Sequence, residues 1–185
     1  MLEGWIALTG TPGVGKSTLV DRLRLHGILN VDLARFAHDY ELVEGVDPVR
    51  NSNIIDPARV GPKLKTFVQK GALVLLESHW SHEVPGVDYA IVLRLKPSEL
   101  RVRLERRGWP EKKIRENLEA EGTDVILQEA IAGLGKANVF EVDTTGRDVD
   151  AVAKVVYSIV KGPKGALSKF KPGQVDWSDD LLALR

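Results

Sequence analysis

The residues with the most definite chemistry form one glycine-rich stretch, Gly10-Thr11-Pro12-Gly13-Val14-Gly15-Lys16-Ser17, which fits the pattern G-x-x-x-x-G-K-[S/T]. Apolar residues precede it, and apolar residues at helical spacing follow it. The glycines allow successive backbone N–H groups to converge on an anion, and the start of a helix favours negative charge. The pattern therefore predicts a nucleoside triphosphate site, with Lys16 on the β- and γ-phosphates and Ser17 on Mg²⁺. The alternative is a glycine turn with an exposed lysine.

A second carboxylate is expected near this loop, because the Mg²⁺ of a bound triphosphate takes a ligand from the end of a neighbouring strand. Glu77 directly follows the apolar segment 72–76 and is the predicted ligand. His79 extends the same strand end towards the loop, with His82 as a competitor for its place. The alternatives are a solvated strand-end charge for Glu77 and an ordinary loop histidine for His79.

Phosphoryl transfer also requires cations over the transferring group. Residues 101–116 hold seven basic side chains against three acidic ones. On a helix, Arg103 and Arg107 share a face because they are four residues apart. The segment therefore predicts a lid, and the alternative is a solvated helix surface with ion pairs such as that between Glu111 and Arg115.

Asp32 and Arg35 follow the second apolar segment of the chain. In a parallel sheet this position faces the side from which a phosphate acceptor would enter, so both residues are predicted acceptor-site residues. The alternative for Asp32 is a simple helix cap.

The elements that must position these groups alternate between strand and helix. Strands are predicted at residues 5–9, 28–31, 72–76, 89–95 and 138–142. Helices are predicted at residues 17–25, 33–43, 57–70 (disturbed at Gly61-Pro62), 98–107 and 147–160, with one or two more over 110–132. Residues 44–55 are predicted to be a loop. This order predicts an α/β fold with a five-stranded parallel sheet and right-handed crossovers.

Composition excludes several classes of protein. The 185 residues are 43% hydrophobic and 28% charged, which is typical of one globular domain and not of a disordered chain. Basic and acidic residues are equal in number, at 26 each, so no overall field favours nucleic acid or a membrane. The absence of cysteine excludes disulfides and thiol chemistry. No apolar run has the length of a membrane span, so we expect a soluble, cytoplasmic protein without a membrane partner.

Several separated motifs resemble one known family. The resemblance covers roughly residues 4 to 160, and it rests on residues 10–18, 32–35, 77–79, 103–121, 124–130 and 142–147. These segments are similar to the adenylate kinase isoenzyme 6 family, in its archaeal form. One departure is Glu77, since eukaryotic members carry Asp there, and another is Ser81-His82-Glu83-Val84-Pro85, which replaces an aromatic stretch of those members.

The resemblance implies a three-layer α/β/α P-loop NTPase fold and Mg²⁺-dependent conversion of ATP and AMP to two ADP. A kinase domain is expected over residues 1–161, with a monophosphate-binding region at about 29–52 and a lid at about 106–116. Carried over position by position, the family's ATP contacts are Gly13, Gly15, Lys16, Ser17, Thr18, Arg107 at the phosphates and Arg147 at the adenosine end. The AMP phosphate is expected on Arg35, next to Asp32.

Three functional hypotheses stay open at this point. The first is an adenylate kinase in which the acceptor phosphate attacks directly, with Lys16, Arg107 and His79 as the catalytic residues. The second is an ATP-switched assembly factor, because the family also implies an ATPase role with a small-subunit platform ribosomal protein and rRNA maturation. The third is a small-molecule kinase of the same fold.

Residues 162–185 change in composition and have no counterpart in the resemblance. We expect an extended tail outside the sheet. Its basic residues Lys161, Lys164, Lys169 and Lys171 would contact rRNA or a ribosomal protein in one interpretation. In the other, which we prefer, the tail packs Trp177 and the final leucines onto the domain.

Overall fold

The computed structural model of the protein describes residues 2–25, 27–48, 52–69, 71–162 and 164–184. Its strands in this part of the chain are β1 (Trp5–Thr9), β2 (Leu29–Asp32), β3 (Val43–Asp47), β4 (Ser52–Ile55), β5 (Val74–Glu77), β6 (Val87–Arg94) and β7 (Val139–Asp143). Its α-helices are α1 (Lys16–Arg24), α2 (Leu33–Asp39), α3 (Pro57–Leu64), α4 (Pro97–Arg106), α5 (Glu111–Gly122), α6 (Val125–Leu134), α7 (Val149–Lys161) and α8 (Ser178–Ala183).

Five strands form one parallel sheet in the order β2-β5-β1-β6-β7, as predicted. The central strands β1 and β5 are buried along their whole length, which explains their uninterrupted apolar sequences. Because all five strands run in one direction, their carboxyl ends share an edge. In the register of this sheet Glu77 pairs with Leu8 on one side and with Asp32 on the other. The edge therefore collects the glycine loop, Glu77 and Asp32.

Helices cover both faces of the sheet, which confirms the three-layer α/β/α fold. One apolar cluster packs α1, α4, α5 and α7 against alternate strand residues such as Ile6 and Leu8. The other packs α2, α3 and α6 against the residues between them, such as Ala7 and Leu76. The alternation of side chains along each strand thus supplies a separate core to each helical layer.

The prediction of a loop over residues 44–55 is wrong, because β3 and β4 form an antiparallel hairpin there. No residue of either strand is fully buried, so both lack the buried apolar alternation from which a strand is recognised. The preceding helix ends at Asp39 and not at residue 43. Glu41 adopts a left-handed φ of 56°, and Leu42 N–H donates to the carbonyl of Ala37 at 2.8 Å. A non-glycine residue thus ends this helix, and no glycine marks the end in the sequence.

The helix predicted for residues 57–70 is shorter and more regular than expected. Asp56 caps it by accepting a hydrogen bond from Ala58 N–H at 2.8 Å, and it ends at Leu64. Gly61-Pro62 does not break it, since Pro62 removes only one hydrogen bond near the end of a short helix. Gly61 is required by packing, because a Cβ there would lie 2.3 Å from the carbonyl oxygen of Pro85. The segment 110–132 forms two helices, divided at Asp124 with a φ of 59°.

The described part of residues 162–185 lies outside the sheet, as predicted, but it is not simply extended. It contains a short 3-10 segment at Lys164–Phe170 and the helix α8. Leu181 is 6% exposed and packs closely on Gly122 of α5. Asp180 accepts a hydrogen bond from Ser98 N–H at 2.8 Å, at the start of α4. The tail therefore packs on the domain, although Leu182 stays exposed.

Among the residues that the structure describes, no helix combines the length and the apolarity needed to cross a membrane.

Candidate active site

The glycine loop joins β1 to α1, and its shape depends on glycine at three positions. Gly10, Gly13 and Gly15 have φ angles of 133°, 104° and 111°, which side chains with a Cβ rarely adopt. A Cβ on Gly10 would also lie 2.5 Å from the carbonyl oxygen of Leu93, and one on Gly13 would lie 2.8 Å from Leu100. The loop therefore packs tightly against the end of β6 and against α4 while it turns into the start of α1.

Lys16, the first residue of α1, is folded back over this loop. Its Nζ donates to the carbonyl oxygens of Gly10 at 2.6 Å and Thr11 at 3.3 Å. Burial lowers the pKa of Lys16 to about 8, while the carboxylates of Glu77 and Glu121 act in the opposite direction. The lysine is thus mostly protonated at pH 7, and it is held on backbone carbonyls that a phosphate can replace.

Ser17 and Glu77 come together at the edge of the sheet. Ser17 Oγ donates to Glu77 Oε1 at 3.1 Å. Burial raises the pKa of Glu77, and the charge of Lys16 opposes this shift. Mg²⁺ prefers oxygen ligands, uses one or two from the protein, and takes the rest from water and phosphates. The hydroxyl and carboxylate pair therefore fits a Mg²⁺ ion that is also bound to a triphosphate.

An open cavity of about 270 Å³ lies between the loop and the ends of β2 and β5. Most of the predicted site residues line it: Gly13, Gly15, Lys16, Ser17, Thr18, Asp32, Glu77, His79 and Arg107. Residues from four separate parts of the sequence thus line one cavity, and its cations and loop backbone are suited to binding phosphate.

The basic segment 101–116 divides between the cavity and the surface. Arg107, just after α4, lines the cavity. Arg103 instead holds the loop, since its guanidinium donates to the carbonyl of Val14 at 3.1 Å. Glu111 pairs with Arg101 at 3.2 Å and with Arg115 at 2.9 Å on the exposed side. The lid prediction is compatible with Arg107, and the alternative of a surface with ion pairs describes Arg101 and Arg115.

Arg147 lies in a second cavity, of about 240 Å³, on the other side of the loop. Gly15 and Thr18 border both cavities. Apolar side chains form part of the walls of the second cavity, Val14, Leu19, Val149 and Val152 among them, and Arg103 and Thr144 also line it. A flat base would fit between these walls, while its phosphates would reach the first cavity.

The two predicted acceptor residues differ in position. Asp32 lines the cavity and also caps α2, since its carboxylate accepts from Arg35 N–H at 3.0 Å. The Arg35 side chain is 81% exposed and lies 3.5 Å from the carboxylate of Asp39. The structure therefore brings Asp32 to the cavity and leaves Arg35 outside it.

The structure also separates the two competing histidines. His79 lines the cavity and is exposed to solvent; partial desolvation and the charge of Lys16 lower its pKa, so it is neutral at pH 7. His82 is buried away from the cavity, with Nδ1 at 3.2 Å from Thr9 Oγ1. The same hydroxyl donates to the carbonyl of His79 at 3.0 Å. His82 thus supports the backbone that carries His79.

Comparison with known proteins places this geometry in a family. A family model described as AAA domain matches residues 6–124. A curated protein of Methanothermobacter thermautotrophicus named "Putative adenylate kinase" is 41% identical over 177 residues, covering 96% of this chain and 99% of the relative. One of the same name from Archaeoglobus fulgidus is 38% identical, covering 95% and 93%. The chain belongs to the adenylate kinase-like P-loop family.

A solved structure agrees with this adenylate kinase-like fold. The crystal structure of an uncharacterized protein from Eubacterium ventriosum matches 86% of this chain and 99% of its own, with a TM-score of 0.51. At 15% sequence identity the match shows the fold alone.

Sequence reasoning missed one part of the site in this adenylate kinase-like chain. Thr11, inside the glycine loop, donates to the buried carboxylate of Glu121 at 2.5 Å. Glu121 in turn pairs with the buried Arg94 at 2.8 Å. The only signal in the sequence is Arg94 itself, a charged residue within the apolar segment 89–95.

Proposed function

We propose that the protein is an adenylate kinase, which transfers the γ-phosphoryl group of ATP to AMP in the presence of Mg²⁺ and yields two ADP. The observation that carries the proposal is the single cavity that gathers Lys16, Arg107 and the Ser17–Glu77 pair opposite Asp32. The archaeal relatives named "Putative adenylate kinase" support the same activity.

The donor nucleotide would span the two cavities. Its adenosine end would lie by Arg147, between the apolar side chains, and its phosphates would follow the loop past Gly15 and Thr18. The β- and γ-phosphate oxygens would replace the carbonyls of Gly10 and Thr11 as the partners of Lys16 Nζ. Backbone N–H groups at the start of α1 would bind the remaining oxygens.

Ser17 and Glu77 would hold Mg²⁺ beside these phosphates, with Ser17 Oγ as a direct ligand. When bound, the ion supplies charge neutralisation of the β- and γ-phosphates. Glu77 Oε1 already lies 3.1 Å from the hydroxyl, so the pair needs little rearrangement to take up this role.

No side chain has to act as the nucleophile in this reaction. An oxygen of the AMP phosphate attacks the γ-phosphorus, the bond to the β,γ-bridging oxygen breaks, and both products are ADP. Lys16 and Arg107 stabilise the negative charge on the transferring group from within the cavity. His79 stays neutral and orients the acceptor.

The acceptor would enter between Asp32 and the hairpin of β3 and β4. Arg35 is the proposed contact for its phosphate, and the exposed guanidinium must leave Asp39 and turn towards the cavity when AMP binds. The pair with Asp39 is weak, since it is exposed and 3.5 Å long, so this rotation costs little.

The test is ADP formation from ATP with and without AMP, repeated after Mg²⁺ is removed by a chelator. The proposal predicts rapid ADP formation that requires both AMP and Mg²⁺. Slow ADP formation at one rate with and without AMP would contradict it.

One observation favours a second candidate, an ATP-switched assembly factor. The neutral His79 faces the cavity beside Lys16 and is able to orient a water molecule in place of AMP. Ribosomal protein and rRNA partners follow from the family resemblance alone. ATP hydrolysis without AMP that falls further in His79→Asn than AMP-dependent transfer does would support this additional role.

A further inference from the structure

A buried charge cluster lies directly behind the glycine loop. Its centre is Arg94, at the end of β6, which is 1% exposed. The guanidinium donates to Glu121 at 2.8 Å, to Glu141 at 2.6 Å and to Asp124 at short range. A buried arginine with this many carboxylate partners is fixed in one orientation, since any rotation would leave a buried charge without its hydrogen bonds.

Glu121, on α5, uses both carboxylate oxygens and is 2% exposed. Oε1 accepts from Arg94 Nε at 2.8 Å and from Leu95 N–H at 3.0 Å. Oε2 accepts from the hydroxyl of Thr11 at 2.5 Å. One carboxylate thus joins the arginine, the chain after β6 and the glycine loop.

Thr11 connects Glu121 to Lys16 through two hydrogen bonds. Its side chain is buried and bonded to Glu121, and its carbonyl accepts from Lys16 Nζ at 3.3 Å. Thr11 does not line the cavity, but its side chain attaches the glycine loop to α5.

We propose that Glu121 is a positioning residue of the phosphate-binding loop: fixed by Arg94, it holds Thr11 and thereby the backbone that receives the triphosphate. The inference rests on the proposed function for its kinetic consequences. It adds a contact that couples the loop to α5, the helix whose first half belongs to the basic segment 101–116.

The same cluster contains a matched control. Glu141, on β7, is also buried and also pairs with Arg94. Its second oxygen accepts from the backbone N–H groups of Gly173 and Gln174 at 2.8 and 2.9 Å, on the side of the tail. Removing either glutamate takes one carboxylate from Arg94, but only Glu121 contacts the loop.

The first experiment compares Thr11→Val with Thr11→Ser. Valine keeps the shape and removes the hydroxyl, whereas serine keeps the hydroxyl. Since misplacement of a binding group by 1 Å costs up to about 100-fold, we expect Thr11→Val to lower kcat/KM for ATP about tenfold and to weaken binding of a fluorescent ATP analogue. Thr11→Ser should stay within about twofold of the unaltered protein. Equal nucleotide binding by both variants would overturn the proposal.

The second experiment compares Glu121→Ala with Glu141→Ala and measures both thermal unfolding and analogue binding. Both should unfold at a lower temperature, but only Glu121→Ala should weaken analogue binding in the folded protein. Thr11→Val should add no further loss in the Glu121→Ala background, since the two changes break one contact. Equal loss of binding in Glu121→Ala and Glu141→Ala would overturn the proposal. Should Glu121→Ala fail to fold, the Thr11 pair decides the question alone.

Analogue binding separates this inference from the kinase activity. If the unaltered protein binds the analogue but does not phosphorylate AMP, the proposed function fails and the binding comparison still tests Glu121. If the unaltered protein binds no nucleotide, both proposals are overturned.

Discussion

The two sides of the candidate cavity are built differently. On the proposed donor side the loop is packed against α4 and the end of β6, and Lys16 and Thr11 are buried with their polar groups bonded. On the proposed acceptor side Arg35 is solvent-exposed and outside the cavity lining, and the hairpin of β3 and β4 presents Val46 and Ile54 to water. In the proposed function the donor site is therefore organised before a nucleotide binds, whereas the acceptor site is completed when Arg35 moves.

This difference has a physical use in a kinase. A preorganised loop needs no rearrangement at the moment of transfer, which is how fixed dipoles and charges lower a barrier. A side that closes on the acceptor excludes water only after the acceptor has bound, which favours transfer over hydrolysis.

The largest effect is expected at the donor side. Lys16→Ala should lower kcat for AMP-dependent ADP formation by about 100- to 1000-fold, because a fixed cation on the transferring phosphoryl group is lost. Steady-state kinetics at saturating AMP measure this. Lys154→Ala, on the exposed side of α7, is the matched control and should behave like the unaltered protein. A kcat for Lys16→Ala within threefold of normal would show that the loop does not carry the chemistry.

A smaller and different effect is expected at the acceptor side. Arg35→Ala should raise KM for AMP about tenfold and leave KM for ATP nearly unchanged, because one charged hydrogen bond to the acceptor phosphate is worth about 1.5–3 kcal/mol. Initial rates over a matrix of both substrates separate the two constants. Arg24→Ala, at an exposed arginine paired with Asp21 on α1, serves as the control. An unchanged KM for AMP in Arg35→Ala would place the acceptor phosphate elsewhere.

The contrast between the two sides should also appear in amide hydrogen exchange without substrates. Exposed strands with few buried contacts open more readily than a buried sheet, so residues 43–47 and 52–55 should exchange at least about tenfold faster than residues 5–9. Saturation with both nucleotides should slow exchange in the hairpin more than in β1. Equal protection of the hairpin and β1 in the free protein would contradict the account of a movable acceptor side.

The smallest effect concerns stability below neutral pH. Burial lowers the pKa of His82 below 6.5, opposed in part by Glu129, and a histidine that stays neutral in the folded state is protonated first in the unfolded state. Its contribution to stability is therefore complete above pH 6.5 and falls as the pH drops towards the folded pKa, with a slope of at most about 1.4 kcal/mol per pH unit.

Urea unfolding at pH 7.5 and pH 5.5 measures this loss. The loss should be smaller in His82→Asn than in the unaltered protein. His79 shifts in the same direction and accounts for part of the remainder. An identical loss of stability in His82→Asn and in the unaltered protein would mean that His82 does not contribute to the pH dependence of stability.

The features that could be predicted from the sequence are local ones. The glycine loop is a run of consecutive residues that can be recognised directly. Glu77 directly follows a buried strand, and the pairing of that strand with β1 places Glu77 next to the loop. The central strands β1 and β5 were identifiable because burial on both faces makes them apolar along most of their length.

The features that could not be predicted from the sequence depend on contacts between distant residues or on exposed residues. Thr11 and Glu121 are 110 residues apart, and nothing near either one indicates the contact. The hairpin of β3 and β4 has too little buried surface to leave a strand pattern, and Glu41 ends α2 without the usual glycine. Arg35 was predicted from the sequence, but its side chain lies outside the cavity. Its predicted role therefore depends on a movement that no sequence pattern describes.

The central claim, that this cavity transfers a phosphoryl group to AMP, is tested most directly by following the γ-phosphate. The protein is incubated with Mg²⁺, AMP and ATP labelled at the γ-phosphate, and the label is located after less than one-tenth of the ATP has reacted. The account predicts label in the β-phosphate of ADP and little in inorganic phosphate. Label that appears in inorganic phosphate at the same rate with and without AMP would contradict it.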